Sequence, residues 1–176
     1  MGPTSAQPAA SAPLDTYVRL HWAPGGAWVL WLYAGVLVVK PEGEVARLRG
    51  MRSVKLKIGR TSPADDRALV LRALDALPQA RLRLDGNRRL SLASCTELLR
   101  GVDPARIEYL EEPLADPSEL PALSYATGMP IALDELVVDS SAEARALRED
   151  LARMKCVAAW VLRMSAIGPL DRTYDL

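Results

Sequence analysis

From residue 44 onward the chain alternates short runs of β-type residues with amphipathic stretches, which predicts successive strand–helix units. VKLKI (54–58) reads as a strand whose polar and apolar positions alternate, so Lys55 and Lys57 share one face. TSPADDRALVLRALDAL (61–77) then opens a helix with Ser62 as N-cap, Pro63 at the first helical position and Asp65 in the first turn. ARLRLD (80–85) predicts the next strand and SLASCTELLRGV (91–102) the next helix. IEYLEEP (107–113) is a strand stopped by Pro113, and Asp116-Pro117 starts a helix that ends near Gly128. PIALDE (130–135) is a fourth strand, SSAEARALREDLARM (140–154) a fourth helix and VAAWVLR (157–163) a fifth strand. Regular alternation of this kind predicts an α/β protein built from parallel βαβ units with right-handed crossovers.

The upstream pattern is different. Residues 1–26 are rich in Ala, Ser, Pro and Gly, with Arg19 and Asp15 as their only charged residues, and read as a tail outside the packed core. A plastid transit peptide shares this shortage of acids, but one basic residue is a weak signal for it. AWVLWLYAGVLVV (27–39) supplies about 13 apolar residues where a membrane span needs about 20, so no transmembrane span is expected. A buried strand or strand pair is the preferred reading, with a signal-type apolar region second. Trp22, Trp28 and Trp31 fit either a buried strand or a membrane-interface patch. Two regions follow: residues 1–44, an unassigned tail and apolar segment, and residues 45–176, a barrel-type domain.

Composition narrows the chemistry. Lys plus Arg equals Asp plus Glu at 22 each, so no basic field invites nucleic acid. Cys95 and Cys156 have no metal-ligand or redox spacing and read as packing residues of a soluble intracellular protein, cytoplasmic or, in a eukaryote, plastid. A single histidine, His21, leaves a histidine-based triad without support.

Each strand of the regular region ends on a charged residue: Lys57, Asp85, Glu111, Asp134 and Arg163. They follow one another at 28, 26, 23 and 29 residues, each about one βα repeat. In a (β/α)₈ barrel such strand ends form the rim where active sites are built. Three carboxylates from neighbouring strands suit a hard divalent cation such as Mg²⁺, and the flanking cations then face a bound substrate. A cation that holds a substrate carboxylate lowers the cost of the charge that develops when an α-proton leaves, and a lysine nearby gives up its own proton more easily. On this reading Lys57 is the base and Lys55 a second positive charge beside it. Taken singly, the same residues have plainer readings. Two alternating lysines suit a solvated strand face, and Asp85-Gly86-Asn87 is a good turn.

VKLKIG, RLDGN, IEYLEEP, IALDE and AAWVLRMSAIG, in this order and spacing, resemble the enolase superfamily, muconate-lactonizing-enzyme subgroup, and most closely the o-succinylbenzoate synthases. The resemblance covers about residues 45–170. It implies a Mg²⁺-dependent dehydratase (lyase) of menaquinone or phylloquinone biosynthesis acting on a small carboxylate substrate. By it Lys57 matches the proton-transferring lysine, Lys55 its paired lysine, and Asp85, Glu111 and Asp134 the Mg²⁺ ligands. Asn87, Glu112 and Glu135 belong to the same motifs and are expected to support those ligands.

Two departures bear on activity. The family ends the strand matching AAWVLR on a second lysine, where this chain has Arg163, a guanidinium that stays protonated and cannot act as a base. A dipeptide epimerase or N-acylamino-acid racemase of the same subgroup needs bases on both faces, so Arg163 favours dehydration, for which the resemblance implies one lysine serving as base and acid. The family also has a capping domain and eight strands, about 250 residues of barrel in general, and this chain is expected to lack the cap and the last strands. The fold expected is therefore a partial TIM-type barrel, impaired alone and completed by a partner chain or oligomer, or else a non-catalytic remnant.

Overall fold

The computed structural model describes the backbone of residues 16–23 and 27–34 and the full side-chain structure of residues 52–162. Five parallel strands, β3 (Ser53–Lys57), β4 (Arg81–Asp85), β5 (Ile107–Glu111), β6 (Ile131–Leu133) and β7 (Val157–Leu162), pair in chain order. Helices α1 (Pro63–Ala76), α2 (Leu92–Leu98), α3 (Leu120–Thr127) and α5 (Ala142–Arg153) connect them. Sequential parallel neighbours joined by helices are the arrangement of a (β/α) barrel wall, as the strand–helix alternation predicts.

Alternation along each strand sorts the two faces. Leu56, Leu82, Leu84, Leu110, Ile131 and Leu133 pack with Val70, Leu98, Leu120 and Leu151 of the helices in one continuous core. The opposite face carries Lys55, Lys57, Asp85 and Glu111, then turns apolar with Tyr109, Ala132, Ala159 and Val161, a separate small cluster.

Local signals set the boundaries. Ser62 caps α1, its hydroxyl accepting from the Asp65 amide at 3.2 Å, with Pro63 in the first turn. Gly128, at φ +69°, closes α3 in the left-handed conformation. A one-turn helix, α4 (Glu135–Val138), lies between β6 and α5. The sequence pattern does not announce it, because four residues are too few to show a helical period.

The N-terminal region departs from expectation. Residues 16–23, read as part of a tail, form strand β1 (Thr16–Ala23), which pairs antiparallel with β2 (Ala27–Ala34) from Thr16↔Ala34 to Ala23↔Ala27. TYVRLHWA holds several strand-forming residues, and a composition averaged over 26 residues hides them. The apolar run contributes one strand within residues 27–34, and its residues 35–39 lie outside the described part. This hairpin joins the sheet antiparallel to β7, at Val18↔Leu162, Arg19↔Val161 and Leu20↔Trp160, at the end opposite β3.

The rim above the parallel strands depends on one glycine. The Gly86 amide donates to the Glu111 carbonyl at 3.2 Å, and a Cβ on Gly86 would lie 2.6 Å from the Cα of Pro113, a backbone atom that cannot swing away. Gly86→Ala should therefore destabilise the chain by about 1–3 kcal/mol through overpacking, read as a lower urea midpoint. An unchanged midpoint would show that the β4 and β5 exits are not held this closely.

Candidate functional site

Lys57, Asp85 and Glu111 stand in one row across three strands, since Lys57 pairs in register with Asp85 and Asp85 with Glu111. Each is the last residue of its strand, and parallel pairing carries all three to the same end of the sheet. Asp134 follows β6 directly. Asp85, Glu111 and Asp134 are each 1% exposed, so three acidic groups are removed from water within one short arc. Such burial demands compensating charge.

Lysine supplies it. The Lys55 Nζ lies 2.8 Å from Asp85 Oδ2 and 2.8 Å from both carboxylate oxygens of Glu111. Burial alone would lower the Lys55 pKa, but the Glu111 and Asp85 carboxylates outweigh it and raise it. Lys55 is thus bound between two carboxylates, a different position from that of a bare positive charge beside Lys57. Lys57, partly exposed, donates to Asp85 Oδ2 and to Asn87 Oδ1. Two ammonium groups hold the Asp85 carboxyl below its ordinary value despite its burial.

Asn87, Glu112 and Glu135 lie beside the row. Asn87, in a turn at φ +45°, donates its side-chain amide to Glu135 Oε1 at 3.1 Å and its backbone N–H to Asp85 Oδ1 at 3.1 Å. Glu112 accepts from the Asp134 amide at 2.8 Å, from the Leu136 amide at 2.6 Å and from Arg88 Nε. Arg163 lies outside the described residues.

Sequence reasoning missed two features. Arg88 is one. The other is a buried layer beneath the row, where Arg83 forks onto Glu108 (2.8 and 3.2 Å), Ser53 donates to the same carboxylate at 2.6 Å, and the Arg83 guanidinium sits 5.4 Å from the Tyr109 ring centroid. Arg83, two residues before Asp85, was accessible through alternation. Glu108 was not, because a register shift between Leu82 and Arg83 skips it in the β4–β5 pairing and frees it to reach Arg83.

With all three carboxylates ionised, the two ammonium groups leave the cluster one negative charge in excess. Among the described residues no group of three His, Cys, Asp or Glu side chains is close enough to hold a metal ion, so the three carboxylates do not close around one point here. The donor set still fits a hard cation. It is all carboxylate oxygen, and Asp85 and Glu111 already grip one positive group, the Lys55 ammonium standing in for an ion.

A row of lysine and carboxylates at the ends of sequential parallel strands is the charged rim of a partial (β/α) barrel. The family profile described as Enolase C-terminal domain-like matches residues 42–168, and the chain belongs to that family. It is 35% identical over 132 residues to the o-succinylbenzoate synthases of Vibrio cholerae and of Proteus mirabilis, covering 73% of this chain and 39% of each of theirs. The chain thus spans well under half the length of these bacterial relatives, and a plastid location gains no support from them. Among solved structures, it is similar to a muconate lactonizing enzyme from Klebsiella pneumoniae (TM-score 0.59, 26% identity, 76% of this chain and 36% of that one). It is also similar to an L-talarate dehydratase from Polaromonas sp. JS666 complexed with Mg and L-glucarate (TM-score 0.51, 27% identity, 65% and 31%). Among the described residues no helix is long and apolar enough to cross a membrane.

Burial, opposed by Lys55 and reinforced by Asp85 and Asp134, pushes the Glu111 carboxyl from 4.5 up to about 8. A raised carboxyl means that the folded state keeps a proton the unfolded chain has lost, so its contribution to stability is complete at acid pH and disappears as pH rises through about 8. Asp85 has the opposite sign, and its contribution is lost only in acid. The melting temperature of metal-free protein should therefore fall from about pH 5 to about pH 8, and Glu111→Gln should flatten that fall. A melting temperature that rises over this window would contradict the assignment.

Proposed function

We propose that this chain carries the proton-transfer site of a Mg²⁺-assisted dehydratase of o-succinylbenzoate synthase type, acting on a small carboxylate substrate in menaquinone or phylloquinone biosynthesis. The observation that carries the reading is the row Lys57, Asp85, Glu111 at one sheet end, with Lys55 behind it and Asp134 next to it. The identity to named o-succinylbenzoate synthases supports the choice of reaction within the family.

Lys57 is the group exposed enough to meet a substrate, while Lys55 is buried among carboxylates. As the neutral amine, the Lys57 Nζ accepts the proton from the carbon next to the substrate carboxylate. The electron pair of that C–H bond forms a C=C bond, the C–O bond to a hydroxyl on the adjacent carbon breaks, and the same Nζ returns the proton so that water leaves. Asp85 and Asn87 orient Lys57 for both transfers. Asp85, Glu111 and Asp134 would hold Mg²⁺, which supplies positive charge for the substrate carboxylate. Without the cation, Lys55 keeps Asp85 and Glu111 together. Arg163, a permanent cation, supports this one-base chemistry over racemisation or epimerisation.

The test is a chimera in which residues 42–168 replace the matching segment of the Vibrio cholerae relative. It should form o-succinylbenzoate, Lys57→Ala should lower kcat by about 10²–10⁴, and Lys55→Ala should leave measurable turnover. Equal losses in the two variants, or turnover unaffected by Lys57→Ala, would reject the assignment.

A further inference from the structure

Asp134 occupies the N-cap position of α4, where an aspartate ordinarily turns its carboxylate back to accept from the second or third helical amide. It makes no such bond. Its backbone, at φ −132° and ψ −75°, also departs from the extended geometry of an N-cap. The Leu136 amide, second in that helix, is instead accepted by Glu112 Oε1 at 2.6 Å, and the same oxygen takes the Asp134 amide at 2.8 Å. The cap of α4 therefore comes from the neighbouring strand, and the Asp134 carboxylate acts on Glu111.

Glu112 is itself held from both sides. Its amide donates to the Ala132 carbonyl at 3.0 Å, its carbonyl accepts from the Arg88 amide at 2.7 Å, and its second carboxylate oxygen accepts from Arg88 Nε. Its backbone is in the left-handed region at φ +28°, a conformation a glutamate adopts only when its surroundings impose it. One 1%-exposed side chain thus links the exits of β4, β5 and β6, the three strands whose ends carry Asp85, Glu111 and Asp134.

We propose that Glu112 is a positioning residue that caps α4 in place of Asp134, fixing the β6 exit so that the Asp134 carboxylate serves the site, with Arg88 as its anchor. The proposal rests on the metal-assisted reading above. It adds that cation affinity depends on a residue that touches neither cation nor substrate.

Two readouts on the full chain separate the proposal from that reading: amide exchange at Leu136 and Asp134 in metal-free protein, and calorimetric titration with MgCl₂. Glu112→Ala should lower Leu136 protection at least about ten-fold and weaken Mg²⁺ binding about 10–100-fold. Glu112→Gln, which keeps one oxygen for the amides and loses the acceptor for Arg88, should fall between wild type and Ala in both. Should the alanine variant not fold, the step from wild type to Gln carries the test. Asp134→Asn should abolish Mg²⁺ binding and leave Leu136 protected. Unchanged protection in the Glu112 variants would overturn the cap, and lost protection with unchanged Mg²⁺ affinity would overturn the positioning role. If wild type binds no Mg²⁺ the metal reading fails, while the order of Leu136 protection still decides whether Glu112 is the cap.

Discussion

The Lys55 ammonium, shared at 2.8 Å between Asp85 and Glu111, is the contact on which the rest of the site depends. Both carboxylates are 1% exposed, and neither has water to spread its charge. Buried acids that close to one another are tolerated only with a cation between them or a proton on one of them, and the cluster uses both devices. Lys55 bridges the pair, and Glu111 holds its proton up to about pH 8. Once Glu111 gives up that proton, three carboxylates face two ammonium groups, and that one negative charge in excess is what would draw in a divalent ion.

That electrostatic demand is met because the backbone leaves no slack at the rim. Parallel register fixes the row of Lys57, Asp85 and Glu111, and Gly86 lets the β4 exit lie directly against Pro113. Leu90 and Leu114 bridge the two loops, with the Leu90 amide donating to the Pro113 carbonyl at 3.0 Å. Beneath the row, the buried Arg83–Glu108 pair adds a second compensated charge. Apart from α4, whose first turn meets Asn87 and Glu112, the helices take no direct part. Their apolar faces cover the other side of the sheet and hold the strands at the spacing the row requires.

What could be read in the sequence was what depends on period and spacing. Alternation placed Lys55 with Lys57, and the recurrence of charged strand ends marked Asp85, Glu111 and Asp134 before any coordinates. Features that depend on register or on contacts between loops were not legible. The shift that frees Glu108 leaves no trace in IEYLE, and nothing in DGNRR says that Arg88 meets Glu112. The partners of Lys55 are of this kind too, since spacing gives its face and not the carboxylates it touches. The strand at Thr16–Ala23 was hidden by the Ala, Ser and Pro around it.

The central claim is that Asp85, Glu111 and Asp134 form one cation site whose place Lys55 holds. Its most direct measurement is a crystal structure of the chain grown with MnCl₂ and recorded at the manganese absorption edge. The account predicts one anomalous peak at the strand ends, with an oxygen of each of the three carboxylates about 2–2.6 Å away and the Lys55 ammonium displaced from between Asp85 and Glu111. A peak bound by other residues, or none while Lys55 keeps both partners, would contradict it.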